Sequence, residues 1–223
     1  PLYSVESPSS VQSESLRFIQ SNLNFMENQI QNSTSYLVTS ATPKDGKSSI
    51  SVNLSSTFAS QNKKTVVIDF DLRKPSFHKL FKRGFDKGVT DILAGKTDVE
   101  KVIQYDGESN LSIIPSGSNH DSPSKLVSDD GMKKFIEKLK SYYEIIIFDT
   151  SPISLTSETQ EISKYVDGII LIVNAQKPIK LIKEIESSLT SKKLPIKGFI
   201  VNKYRTGKSV YKYYNINYKT LKV

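Results

Sequence analysis

Short runs of apolar, mostly β-branched residues recur along the chain: Tyr36-Leu37-Val38-Thr39, Thr65-Val66-Val67-Ile68, Leu111-Ser112-Ile113-Ile114, Ile145-Ile146-Ile147-Phe148, Ile169 to Val173, and Phe199-Ile200-Val201. They are nearly continuous rather than alternating, as strands covered on both faces should be. Between them, helical spacing predicts helices at about 47 to 61, 130 to 141, 156 to 165 and 178 to 191, so the order reads β-α-β repeatedly. The fold class is therefore α/β, an open, mostly parallel sheet flanked by helices. Its ligands are expected outside the carboxyl ends of the strands.

The two ends of the chain differ from this middle. Residues 1 to 35 are polar, with one amphipathic stretch in which Leu16, Ile19, Leu23, Met26 and Ile30 recur at three and four. That spacing predicts one helix over Val11 to Ile30, weakly buried or used for contacts. From Thr206 onward the pattern dissolves, and a flexible tail carrying Tyr211, Tyr213, Tyr214 and Tyr218 is expected.

Composition narrows the picture. A chain of 223 residues, 37% hydrophobic, is long enough for one sizeable core and too short for two ordinary domains. With no cysteine there is neither a disulfide framework nor a thiolate nucleophile, and His78 and His120 stand apart with no ligand spacing around them, so no zinc site is expected. No apolar run is long enough to cross a membrane, and residues 1 to 10 lack a signal pattern, which predicts a cytoplasmic protein that needs a partner for any membrane role. The net charge is +8, but six basic and no acidic residues fall between Lys203 and Val223, leaving about +2 elsewhere. A basic tail on a near-neutral body argues against a nucleic-acid-tracking face.

The chemistry is concentrated in three places. Ser40-Ala41-Thr42-Pro43-Lys44-Asp45-Gly46-Lys47-Ser48 follows a predicted strand and opens a predicted helix, the context a phosphate-binding loop requires. There Gly46 permits close backbone approach, Lys47 can bridge terminal phosphates, and the Ser48 hydroxyl can bind Mg²⁺. Ala41 stands where the first glycine is usual. Secondly, Val66-Val67-Ile68-Asp69-Phe70-Asp71-Leu72-Arg73 brings two aspartates out at a strand end. Thirdly, Ile145-Ile146-Ile147-Phe148-Asp149 ends another strand in one acid, a usual place for a carboxylate that holds Mg²⁺ or its water shell.

These residues resemble the bacterial tyrosine kinases of capsule and exopolysaccharide synthesis, relatives of the MinD/ParA P-loop ATPases. The resemblance covers nearly the whole chain and rests on the phosphate loop, on Asp69 to Pro75 as an additional Walker A′ motif, on the Asp149 strand, on Pro115-Ser116-Gly117 with Pro123 to Leu126, and on the tyrosine-bearing end. The signature lysine of MinD and ParA would fall at position 42, which is Thr42. The resemblance implies a nucleotide site (ATP/ADP) of Thr42, Lys44, Asp45, Gly46, Lys47, Ser48, Ser49 and Asn202, and a Mg²⁺ environment of Ser48, Asp71 and Asp149. It implies Lys47, Asp69, Asp71 and Asp149 as catalytic residues, with Asp69 the base for a tyrosine hydroxyl, and Tyr211, Tyr213, Tyr214 and Tyr218 as phosphoacceptors in trans. Arg73 would steady the aspartates or the incoming tail.

The implied organisation is an N-terminal segment over 1–35, a P-loop domain over 36–203 and a tail over 204–223. Implied partners are a separate membrane-anchored activator that recruits the protein to the inner face of the membrane, further copies of the chain, and the polysaccharide polymerisation and export machinery, with no nucleic acid. Glu14-Ser15-Leu16-Arg17-Phe18-Ile19-Gln20 resembles the family's subunit-contact motif with Gln20 in place of its second arginine, and Lys44 replaces a glycine. A MinD/ParA-like ATPase switch and a catalytically weak regulatory subunit are the alternative readings.

Overall fold

The computed structural model describes residues 2–26, 32–82, 84–118, 122–127 and 129–204. The four tail tyrosines, His120 and the end of the expected N-terminal helix lie outside them. Among the described residues the chain begins with helices α1 (Tyr3–Glu6) and α2 (Val11–Met26), enters strand β1 (Thr34–Ser40) and turns into helix α3 (Lys47–Ala59). Strand β2 (Thr65–Phe70) leads to short helices α4 (Phe77–Leu80) and α5 (Val89–Leu93), then to strands β3 (Gln104–Asp106) and β4 (Leu111–Ile114). Helices α6 (Pro123–Leu126) and α7 (Asp129–Lys140), strand β5 (Ile145–Thr150), helix α8 (Ser157–Ile162), strand β6 (Gly168–Asn174), helix α9 (Ile179–Ser191) and strand β7 (Ile196–Asn202) complete it.

The seven strands form one sheet in the order β3-β4-β2-β5-β1-β6-β7, parallel except for β3 against β4. All six predicted strands are present. β3 was not anticipated because three residues, with Tyr105 exposed, carry too little pattern to register.

Each strand divides its side chains between two helical layers by alternation. Leu37, Val66, Ile68, Phe70, Ile146 and Phe148 face a layer containing Met132, Phe135 and Leu139 of α7. Their neighbours Tyr36, Val38, Val67, Ile145 and Ile147 face Val52, Leu54 and Phe58 of α3. By the same parity, Asp69 and Asp149 fall on the α3 face.

Helix α3 is buried almost all round although it is rich in Ser and Thr. Its hydroxyls are satisfied locally: Ser51, Ser55 and Thr57 donate to the carbonyls four residues earlier, at 3.0, 2.7 and 2.8 Å. These three hydroxyls therefore enter the core without being left unpaired.

What covers the outer side of α3 is the N-terminal segment. The Tyr3 N–H donates to Asn53 Oδ1 at 2.7 Å, the Ser4 hydroxyl meets that of Ser56, and α2 lays Leu16 and Leu23 into the same apolar cluster as Phe58. The buried stripe of α2 is Ser13, Leu16, Gln20 and Leu23, whereas Met26 is exposed. Gln20 is only 1% exposed and its Nε2 donates to Gln61 Oε1 at 3.0 Å, so this position faces its own chain. Arg17 pairs with Glu14 and donates to the Pro8 carbonyl. β1 begins at Thr34, inside the segment expected to end at 35, and α2 packs as part of the sheet domain.

This packing predicts a contrast within one helix. Leu23→Ala should cost about 2–3 kcal/mol in urea unfolding, as a buried leucine does, while Phe25→Ser, at a side chain 90% exposed, should change stability by less than about 0.5 kcal/mol. A silent Leu23→Ala would mean that α2 does not belong to the core.

Candidate active site

Between β1 and α3 the chain turns through Ala41 to Gly46. Lys44 and Gly46 take φ of +66° and +98°, left-handed on either side of Asp45. Four carbonyls of the turn are engaged from its flanks. The Ser40 hydroxyl donates to Thr42 O at 2.7 Å, the Ser154 hydroxyl to Ala41 O at 3.1 Å, Asn202 Nδ2 to Asp45 O at 2.9 Å, and Lys203 Nζ to Lys44 O at 2.7 Å. Within the turn, the Thr42 N–H and hydroxyl both donate to the Asp45 carboxylate. The first N–H groups of α3 have no acceptor within the helix, and the helix contributes its positive end at the same point.

Ala41 is buried against Ile153, Leu171 and Ile185. This position requires packing rather than a positive φ, which accounts for alanine where glycine is usual. Gly46 is different: besides its φ, a Cβ there would lie 2.1 Å from Asn202 Nδ2.

The register of β2 and β5 pairs Asp69 with Asp149 directly. Asp149 is fully buried. The Ser51 hydroxyl, whose one proton is shared with the Lys47 carbonyl, lies 3.0 Å from its Oδ1, the Ser48 hydroxyl also bonds to it, and Lys47 is close enough to bias its charge. Asp69 Oδ2 accepts the N–H groups of Ser76 and Phe77 at 2.9 and 3.0 Å. Asp149 Oδ2 and Asp69 Oδ1 are buried without a hydrogen-bond partner among the described residues.

Burial pushes Asp69 up to about 7 and Asp149 up to about 8, each carboxylate further raised by a neighbouring acid, Asp71 for the first and Asp69 for the second. Asp71 lies past the end of β2, accepting from the Ser151 hydroxyl at 2.5 Å and the Lys74 N–H at 3.1 Å.

A cleft of about 490 Å³ gathers Lys44, Gly46, Lys47, Ser48, Ser49 and Asp71 together with Arg73, Lys74 and Leu155. A second cleft, of about 450 Å³, shares Ser49 and is lined by Tyr3, Asn202, Lys203 and Tyr204. The structure thus brings together Thr42, Lys44, Asp45, Gly46, Lys47, Ser48, Ser49, Asp69, Asp71, Asp149 and Asn202 around one turn. Arg73 pairs with Glu158 rather than with the aspartates. Nothing in the sequence singles out Glu158: it shares a polar segment with Glu161, and only the fold brings it to Arg73.

The donor set fits a magnesium nucleotide. An open helix end with a lysine and two serines suits phosphate, and two buried carboxylates with unpartnered oxygens suit a cation beside it. A parallel sheet that delivers such a loop to a helix N-terminus, with acids at neighbouring strand ends, defines a P-loop nucleotide-binding protein.

Similarity to known proteins sharpens that class. The family described as an AAA domain matches residues 44–187. The tyrosine-protein kinase YwqD of Bacillus subtilis (strain 168) is 34% identical over 211 residues, covering 93% of this chain and 88% of that protein. The putative tyrosine-protein kinase CapB of Staphylococcus aureus is 31% identical over 217 residues, 96% and 94% of the two chains. The structure of the kinase domain of Escherichia coli tyrosine kinase ETK superposes with a TM-score of 0.85 at 27% identity, over 93% of this chain and 83% of that one. The chain belongs to the bacterial tyrosine-protein kinases.

Two predictions follow from this geometry. Gly46→Ala forces a side chain into the Asn202–Asp45 bond at a left-handed φ, and should cost about 1–3 kcal/mol in unfolding while weakening Mg-ADP binding measured by calorimetry. Secondly, the buried pair takes up protons on folding between the unfolded carboxylate range and pH 7 to 8. Without nucleotide or metal, stability should therefore fall as pH rises from about 4 to about 8. Asp149→Asn should flatten that fall and raise the melting temperature at pH 8; an unchanged pH profile would show that the pair is not charged against a cost.

Proposed function

We propose that this protein transfers the γ-phosphoryl group of Mg-ATP to tyrosine hydroxyls, including Tyr211, Tyr213, Tyr214 and Tyr218 on neighbouring copies. The observation that carries this reading is the convergence of Lys47, Ser48, Asp71, Asp69 and Asp149 at one end of the sheet, around a loop whose carbonyls are turned outward. The bound magnesium nucleotide supplies the transferable phosphoryl group and a metal charge that offsets the acids. Lys47 and the N-terminal amides of α3 hold phosphate oxygens, and Ser48, Asp71 and Asp149 hold the metal or its water shell. Thr42, Lys44, Asp45 and Gly46 shape the phosphate cradle. Ser49, common to both clefts, and Asn202, in the second, would hold the rest of the nucleotide.

Asp69 accepts the tyrosine proton in this reading. Its unpartnered Oδ1 and raised pKa suit an acceptor near neutrality, and a phenol needs position and charge neutralisation more than a strong base. Self-association supports transfer between copies: Arg17 with the exposed Phe18 and Phe25 of α2 supplies the contact, without Gln20, which is turned inward. The resemblance to kinases of capsule and exopolysaccharide synthesis supports regulation of that synthesis and export. It also supports recruitment from the cytoplasm to the membrane by a separate anchored activator. No helix among the described residues is long and apolar enough to cross a membrane.

The test is phosphotyrosine mapping after incubation with Mg-ATP and the activator's cytoplasmic segment. Tail phosphate is expected in the wild type and should drop at least about 100-fold in Lys47→Met, in which a charge aimed at the transferring group is lost. Asp149→Asn should lose transfer too, although it stabilises the unliganded fold. Either variant with near-normal tail phosphorylation overturns the assignment. ATP hydrolysis without tyrosine phosphate in the wild type supports an ATPase switch instead.

A further inference from the structure

One wall of the cleft holds an ion pair that the chemistry above does not use. Arg73, in the loop after β2, reaches Glu158 in the first turn of α8, with Nε and Nη2 at 3.1 and 3.0 Å from the same oxygen, Oε1. The two ends differ sharply in environment: the Glu158 side chain is 4% exposed and that of Arg73 is 51% exposed. A carboxylate buried to that degree adds little net stability even when paired, because its desolvation offsets the attraction. It does fix the direction of whatever it pairs with.

A guanidinium has five N–H donors in a rigid fork, and two are committed to Glu158. The half-exposed Arg73 lines the cleft shared with Lys47, Ser48 and Asp71, which leaves three donors for a ligand there. Lys44 and Lys74 line the cleft as well, but an ammonium on a four-carbon stem is a movable point charge. The pair as a whole is neutral, so it adds little long-range attraction for an anion. What it offers is an oriented donor, on a wall built by the β2–α4 and β5–α8 loops rather than by the phosphate loop, with Glu158 behind it.

We propose that Glu158 is a positioning residue that holds Arg73 as a fixed donor to the terminal phosphate of a nucleoside triphosphate, and that the pair sets the preference for triphosphate over diphosphate. This rests on reading the cleft as the phosphoryl-transfer site. The inner phosphates are served by the phosphate loop and Lys47, so diphosphate affinity should not depend on Arg73. Glu158 acts only through Arg73.

The experiment is calorimetric binding of Mg-ADP and of a non-hydrolysable Mg-ATP analogue to the full chain, read as the ratio of the two affinities. Because removing Arg73 alone strands a buried carboxylate, the main variant is the uncharged double substitution R73M/E158Q, accompanied by E158Q, R73K and, as a control, K47M. The triphosphate preference should fall about tenfold in the double variant, the worth of one charge-assisted hydrogen bond, with diphosphate affinity within about twofold of wild type. E158Q should lose much of the same preference, and R73K should retain part of it. A merely structural role would move thermal stability or both affinities together and leave the ratio alone. Normal binding with an unchanged ratio overturns the inference by itself, as does tighter triphosphate binding in E158Q, which would make Glu158 a restraint on Arg73. A wild type that binds neither nucleotide, or that is unaffected by K47M, overturns the reading of the cleft and this inference with it.

Discussion

Two carboxylates held out of water side by side set the terms for the rest of this molecule. Parallel pairing puts Asp69 and Asp149 in register, and strand parity turns both toward α3. Even a relaxed protein interior charges several kcal/mol for each such ion. The surroundings offset part of this: the Ser76 and Phe77 amides cap one acid, the Ser48 and Ser51 hydroxyls serve the other, and Lys47 adds opposite charge. One oxygen of each is still left over. The unliganded fold thus keeps two unpartnered acid oxygens beside the phosphate loop, and under the proposed function the same two acids that weaken the empty protein would favour a cation there.

That arrangement requires polar groups deep inside the sheet domain, and α3 shows how they are accommodated. A helix carrying Lys47, Ser48 and Ser51 toward the acids cannot also be uniformly apolar where it meets the sheet. Back-bonding of hydroxyls to the preceding turn lets Ser51, Ser55 and Thr57 count as small, satisfied side chains. Its outer side is sealed by α1 and α2, whose own contacts include the polar pairs Tyr3–Asn53 and Gln20–Gln61. Burial of α2 thereby belongs to the support of the phosphate loop, and only its opposite face, with Phe18 and Phe25, stays available to a partner.

The sheet was legible because its strands are unbroken runs such as Ile145 to Phe148, and the phosphate loop because Gly46-Lys47-Ser48 stands between a strand and a helix. Parity along β2 and β5 even places both acids on one face. Other parts escaped. The spacing of Leu16, Ile19, Leu23 and Met26 located a helix, but the stripe that is buried runs through Ser13 and Gln20, since hydrogen bonding within the chain let polar residues face inward. The short helices α4, α5 and α6 have no full period to read. Glu158 is one of two glutamates in a polar stretch, and its meaning comes from a contact with Arg73 across 85 positions. Lys203 and Asn202 likewise act on carbonyls 159 and 157 positions away.

Those last two contacts tie the end of the sheet to the turn between β1 and α3. β7 finishes at Asn202, and within two residues the chain supplies both an amide to Asp45 O and an ammonium to Lys44 O. The loop therefore owes its outward-turned carbonyls to the last strand as well as to its own left-handed residues. The strength of the connection can be bounded. A net hydrogen bond contributes about 0.5–1.5 kcal/mol, and the one from Lys203 joins exposed groups, so the pair together is worth about 2 kcal/mol at most. Displacing Asn202 and Lys203 would change the population of the phosphate-ready turn by a factor of tens, not abolish it, since Thr42 and Ser40 brace it from within. The junction at Asn202 and Lys203 is thus a secondary brace of the loop, while the proposed chemistry rests on the acids and Lys47.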